Sequence, residues 1–207
     1  MKRILIAVAV LAISSFTASA QAKGTSMIGF GISSQKVKYE YVAPDWQDSE
    51  HKTNNFSLSY GVFVKDNSKI ELTGTYGKSS QEYSSTNSYE TKSYGGSLSY
   101  QHYYPLLKKF YAFAGGRGTY SYSKNEQVDG SARPTTYKGN LYGVGAYGGA
   151  TYFLSNRFAF EAQLLSASFY YEKVNQGGPQ TSTKRTSFDV STSGAINDLS
   201  FKIYFMF

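Results

Sequence analysis

The feature that most limits what this chain can fold into is the period-two alternation at its carboxyl end. Leu199, Phe201, Ile203, Phe205 and Phe207 alternate with Ser200, Lys202, Tyr204 and Met206. Successive side chains of a strand point to opposite faces, so this is a strand with one wholly apolar face. Lys202 lies in the middle of the other face. That charge needs a wet or shielded environment, which a barrel interior supplies and a packed sandwich does not.

The same alternation recurs over 56–64, 70–76, 94–100 and 158–164. Three further segments are β-rich but less regular. In 27–41 the two faces exchange character near Ser33 and Ser34, implying a bulge or an upper half that protrudes. Segments 110–122 and 141–153 are rich in Gly and Ala, which permits the sharp strand coiling of a narrow barrel. With Arg117 turned inward, Ala112, Ala114, Gly116 and Gly118 make the outward face.

The connections alternate in length. Segments 65–68, 104–109 and 154–157 are short, whereas 42–53, 77–93, 123–137 and 172–187 are long, polar and rich in Ser, Thr, Asn and Gly. Pro44, Pro105, Pro134 and Pro179 all fall in connections, as expected of a residue that donates no ladder hydrogen bond. The expected fold is therefore all-β: an eight-stranded antiparallel up-and-down transmembrane β-barrel with short periplasmic turns and four long external loops.

The amino end reads differently. Lys2 and Arg3 precede an apolar run over 4–13, and Ala18-Ser19-Ala20 supplies a small-x-small site. Residues 1–20 are expected to be a secretory signal peptide, too short to span a bilayer, and 21–207 the barrel domain. No cysteine follows, so neither a lipid-modified amino terminus nor disulfides are expected. A mean hydropathy of −0.39, with 20 tyrosines and 14 phenylalanines, argues against a large soluble core. It suits strands that are apolar on one face, with aromatic girdles.

The whole of 21–207 resembles the small outer-membrane β-barrel family that includes OmpX and the membrane domain of OmpA. The resemblance rests on the rhythm of strands and connections, on the turn Tyr152-Phe153-Leu154-Ser155-Asn156-Arg157-Phe158, and on the terminal strand. Family members end in a strand read by the barrel-assembly machinery. Phe205 and Phe207 match the two aromatics of that assembly signal, while Lys202 stands where glycine is usual. The resemblance implies a place in the outer membrane of a Gram-negative-type bacterium, outer-membrane lipid around the wall, and the assembly machinery as a partner during biogenesis. No segment follows the last strand, so the peptidoglycan-binding domain of OmpA is not expected.

Chemistry-bearing motifs are sparse. Gly143-Val144-Gly145-Ala146-Tyr147-Gly148 has the spacing of a dinucleotide fingerprint but runs on as strand rather than into a helix, so close strand packing explains it. His51 and His102 have no histidine at helical spacing and no cysteine beside them, so no metal site is expected. Ser99 and His102 fall on opposite faces of one strand, and no catalytic or cofactor-binding residue is expected. Parity turns Glu71, Arg117, Glu161 and Lys202 inward. Two acids and two bases inside so narrow a wall read as a paired plug, the other reading being a polar path for ions.

The formal charge of +7 does not point to nucleic acid. Charges in the long loops cancel, and the surplus sits in the short turns as Lys65, Lys69, Lys108, Lys109 and Arg157, a basic rim facing anionic headgroups. The function expected is non-enzymatic: an envelope-structural or surface-interaction role, with an extracellular partner met through the loops. Trp46, Tyr83, Tyr89, Tyr137, Tyr170 and Tyr171 are candidate contacts or members of the outer girdle. The alternative is a narrow porin-like channel, or a carrier for small solutes or small apolar molecules. A lumen or a lateral gap would favour it.

Overall fold

The computed structural model describes residues 21–39, 49–82, 87–129, 135–176, 182–191 and 201–207. The expected leader lies outside the described residues, as do Trp46, Tyr83, Leu199 and Ser200. No helix among the described residues is long and apolar enough to cross a membrane.

The elements are β1 (Ser26–Tyr39), β2 (Ser49–Lys65), β3 (Ser68–Glu82), β4 (Asn87–Leu107), β5 (Phe110–Asp129), β6 (Thr135–Phe153), β7 (Phe158–Gln176), β8 (Ser182–Ser191) and β9 (Phe201–Met206). Each of β1 to β7 pairs antiparallel with the next. β9 pairs with both β7 and β1, closing an eight-membered ring. β8 continues the eighth position higher up, pairing with β7 from Ser166↔Ser191 to Asn175↔Ser182. Closure leaves no open edge in the lower wall, which a strand wall in lipid requires.

The outward side chains form an apolar band. Phe30, Leu58, Leu72, Leu98, Val144, Phe169 and Ile203 are all more than half exposed, which is unfavourable in water and suited to lipid. Tyrosines ring its upper margin: Tyr76 packs 5.2 Å from Tyr94, Tyr120 5.2 Å from Tyr142, and Tyr142 6.5 Å from Tyr171.

Two expectations need correction. Among the described residues, the parts of the expected long loops at 49–53, 77–82, 87–93, 123–129, 135–137, 172–176 and 182–187 are strand. β4 runs for 21 residues and β5 for 20, and tilted strands of that length rise roughly 50 Å, about twice the height of a lipid-facing band. Above the band both faces meet water, so the hairpins continue without the alternation that would reveal them. The face exchange near Ser33 is not a bulge, since β1 pairs with β2 without a break. Register shifts occur elsewhere, between Phe63 and Lys65, between Pro105 and Leu107, and between Gly148 and Gly149. At the last of these, both Leu164 and Leu165 turn outward.

Candidate functional site in the barrel interior

The lower interior is set by where strands leave their turns. Asp66 and Asn67 link β2 to β3, with Asn67 in the left-handed region (φ 60°) that asparagine tolerates. β3 therefore starts at Ser68, and its first two inward residues are Lys69 and Glu71. Across the ring, Glu161 of β7 lies opposite Lys202 of β9. The inner faces of these strands meet in a space only wide enough for side chains.

Lys69 is the centre of what forms there. Its ammonium is fully buried, 2.8 Å from Glu71 Oε2 and 3.5 Å from Glu161 Oε2. It also lies 4.1 Å from the centre of the Tyr204 ring and 5.7 Å from that of Tyr103. Lys202 donates to Glu71 Oε1 at 2.7 Å, and the Tyr204 hydroxyl donates to Glu71 Oε2 at 2.7 Å. Glu161 Oε2 accepts from Gln101 at 2.8 Å, Tyr103 at 3.0 Å and Thr151 at 3.1 Å. Tyr147 in turn donates to Gln101 Oε1 at 3.1 Å.

Two buried carboxylates thus face two ammoniums, and both carboxylates accept several hydrogen bonds. Burying charge is tolerable only on these terms. An aromatic cluster packs around the network: Tyr103 lies 5.7 Å from Phe63, 6.2 Å from Phe113 and 6.1 Å from Phe153. Met27 and Met206 belong to the same buried cluster. Gly29 makes room for it, since a Cβ there would meet the Tyr204 ring.

Of the four interior charges expected from sequence, the structure brings Glu71, Glu161 and Lys202 together. Arg117 stands apart. Its guanidinium donates to Gln163 Oε1 at 3.0 Å and lies 5.1 Å from the Tyr147 ring, with no salt bridge to an acid among the described residues. The cation that closes the network is Lys69, assigned from sequence to the basic rim. The correction follows from height: Lys69 comes straight after its turn, level with the acids, whereas Arg117 is seven residues up β5. Above the network lies a cavity of about 280 Å³, lined by Thr73, Thr75, Ser97, Ser99, Arg117 and Gln163 among others.

The remaining candidates take structural places. Ser68, rather than Ser99, meets His102, with Oγ 2.8 Å from Nδ1. The serine is only 3% exposed, and the imidazole packs edge-on against Tyr104, so the pair ties β3 to β4. His51 lies 3.1 Å from the Thr53 hydroxyl. At Gly143 an added Cβ would come within 2.7 Å of the Tyr170 ring, so this glycine serves strand packing. Among the described residues no cluster could hold a metal ion. Phe205 and Phe207 point outward with ring centres 6.2 Å apart, and the Phe207 backbone exchanges both hydrogen bonds with Ser26.

No family model matches the chain, and no curated protein matches it. Solved structures do. A major outer membrane protein of Thermus thermophilus is similar over 88% of this chain and 99% of its own, at 11% identity and a TM-score of 0.51. The chain is an outer-membrane-type β-barrel in fold. The barrel is also similar to the translocator domain of the autotransporter NalP from Neisseria meningitidis, at 12% identity and a TM-score of 0.49, over 91% of this chain. It spans 64% of the length of that domain. Neisserial surface protein A is similar over 89% of this chain and 98% of its own, at 12% identity and a TM-score of 0.45.

Proposed function

We propose that this barrel is a non-enzymatic, non-conducting protein of the outer membrane, and that its sealed lower half holds tall polar hairpins above the lipid for surface contact or envelope structure. The observation that carries this reading is the closed interior network of Lys69, Glu71, Glu161 and Lys202 within its aromatic cluster. A side-chain layer packed this closely supports an interior without a continuous water path. The outward apolar band argues for a lipid surround, and residues 1–20 for export. Phe205 and Phe207 serve as the assembly signal, so Phe207→Asp should be exported but fail to reach the outer membrane. The test is fractionation of the full chain expressed in a Gram-negative host. The expected result is an outer-membrane band whose migration changes on boiling, with its hairpins cut by protease added to intact cells. A soluble periplasmic product would refute the reading.

A second reading is a carrier that passes small molecules sideways through the wall. One observation favours it: the cavity above the network reaches the wall at Gly31, Ile32 and Ser33 of β1. Uptake of a small apolar solute by vesicles containing the barrel, without ionic current, would support the carrier over the sealed display role.

A further inference from the structure

Strand register sets four lysines side by side on the outside of the wall. Lys78 of β3 lies opposite Lys92 of β4, Lys92 opposite Lys124 of β5, and Lys124 opposite Lys138 of β6. All four share the parity of the exposed Leu72, Tyr94, Tyr120 and Tyr142 on the same strands. Beside this row, Lys173 of β7 lies opposite Lys184 of β8.

Like charges placed directly opposite across a ladder repel each other. The row is only partly offset. Glu90 lies 2.9 Å from both Lys78 and Lys92, and Glu126 pairs with Lys124. No salt bridge reaches Lys138 among the described residues. Four ammoniums meet two carboxylates, so the patch keeps a surplus of positive charge that folding alone gives no reason to place there.

Its height explains it. Lys78 and Lys92 occupy the next outward positions beyond the girdle residues Tyr76 and Tyr94, and Lys124 and Lys138 the second beyond Tyr120 and Tyr142. At about 3.4 Å per residue along tilted strands, the lysines stand roughly 5–10 Å beyond the tyrosine ring. Girdle tyrosines mark the boundary between hydrocarbon and headgroups. The lysines therefore sit in the headgroup layer, flush with a wall whose neighbouring phase is lipid.

Resting on the outer-membrane reading above, we propose that this lysine row is a binding site for the phosphate groups of multiply phosphorylated lipid headgroups in the outer leaflet. Lysine binds phosphate as a mobile point charge, so adjacent ammoniums can share one headgroup without a fixed pocket. Bound phosphate would also relieve the cross-strand repulsion, so lipid and wall stabilise each other.

The test uses the full chain refolded in uncharged detergent, with the folded fraction followed on heating by its electrophoretic shift. Lipid A carrying both phosphates should raise the unfolding midpoint by several degrees. Dephosphorylated lipid A and inorganic phosphate should each leave it unchanged. The triple variant Lys92→Gln, Lys124→Gln, Lys138→Gln should lose the rise, while Lys65→Gln with Lys108→Gln at the opposite rim should keep it. An equal rise in the triple variant, or with dephosphorylated lipid, overturns the proposal. A rise with inorganic phosphate alone overturns the lipid assignment in favour of a free-anion site. Failure of the wild-type chain to give a folded, heat-sensitive band breaks the membrane-barrel reading itself, and the proposal with it.

Discussion

The lower and upper parts of this barrel use the same antiparallel strands but handle charge in opposite ways. Below, Lys69, Glu71, Glu161 and Lys202 meet inside a narrow, aromatic-lined space, each acid holding several donors. Above, Glu90 and Glu126 meet lysines on a half-exposed outer surface. Ion pairs of similar length therefore differ greatly in consequence. A buried charge stripped of its partner has no water to turn to, whereas an exposed one is resolvated at once. The lower network fixes a single packing of the floor, and the upper pairs decorate walls that their ladders already hold.

Single substitutions should separate the two regimes. Lys69→Met should have the largest effect, because it leaves Glu71 and Glu161 buried with one cation between them. A loss of about 3–5 kcal/mol is expected from breaking such a set, read as a lower urea midpoint for the refolded barrel. An unchanged midpoint would mean that water reaches the floor. Tyr204→Phe should follow, since it keeps the ring against Lys69 but removes the donor to Glu71, at about 1–3 kcal/mol. Arg117→Met should cost less, about 0.5–1.5 kcal/mol, because one part-buried hydrogen bond to the neutral Gln163 amide and a ring contact at the cavity are lost and no acid is left unpaired. Were Arg117→Met to match Lys69→Met, the division between network and cavity would be wrong. Glu90→Gln in the upper wall should lower the midpoint least, because the lysines it offsets are exposed to solvent and screened by salt.

The same contrast explains what was legible in the sequence. The lower wall announces itself because one face is an apolar band and the other is not, so 201–207 and 56–64 alternate plainly. The hairpins above the band hide because both faces are wet and no alternation is selected. β8 falls where a long loop was expected for this reason. Inside the floor, parity placed Glu71, Glu161 and Lys202 on the inner face. Lys69 was missed although it shares the parity of Glu71, because a lysine beside a turn is usually a rim charge. Tyr204 was hidden by chemistry: a tyrosine serves equally as girdle ring or buried donor, and only its position two residues from Lys202 marked it as inward. The row of outer lysines was beyond sequence altogether, since it exists only once register across four strands is known.

The central claim is that the floor is sealed, and ionic current across a planar bilayer containing the refolded wild-type barrel tests it most directly. With insertion verified by the heat-sensitive electrophoretic shift of the same sample, the account predicts no stepwise conductance above the bare membrane. Stable, reproducible conductance steps from the wild-type barrel would show a continuous water path through the Lys69–Glu71–Glu161 layer and contradict it.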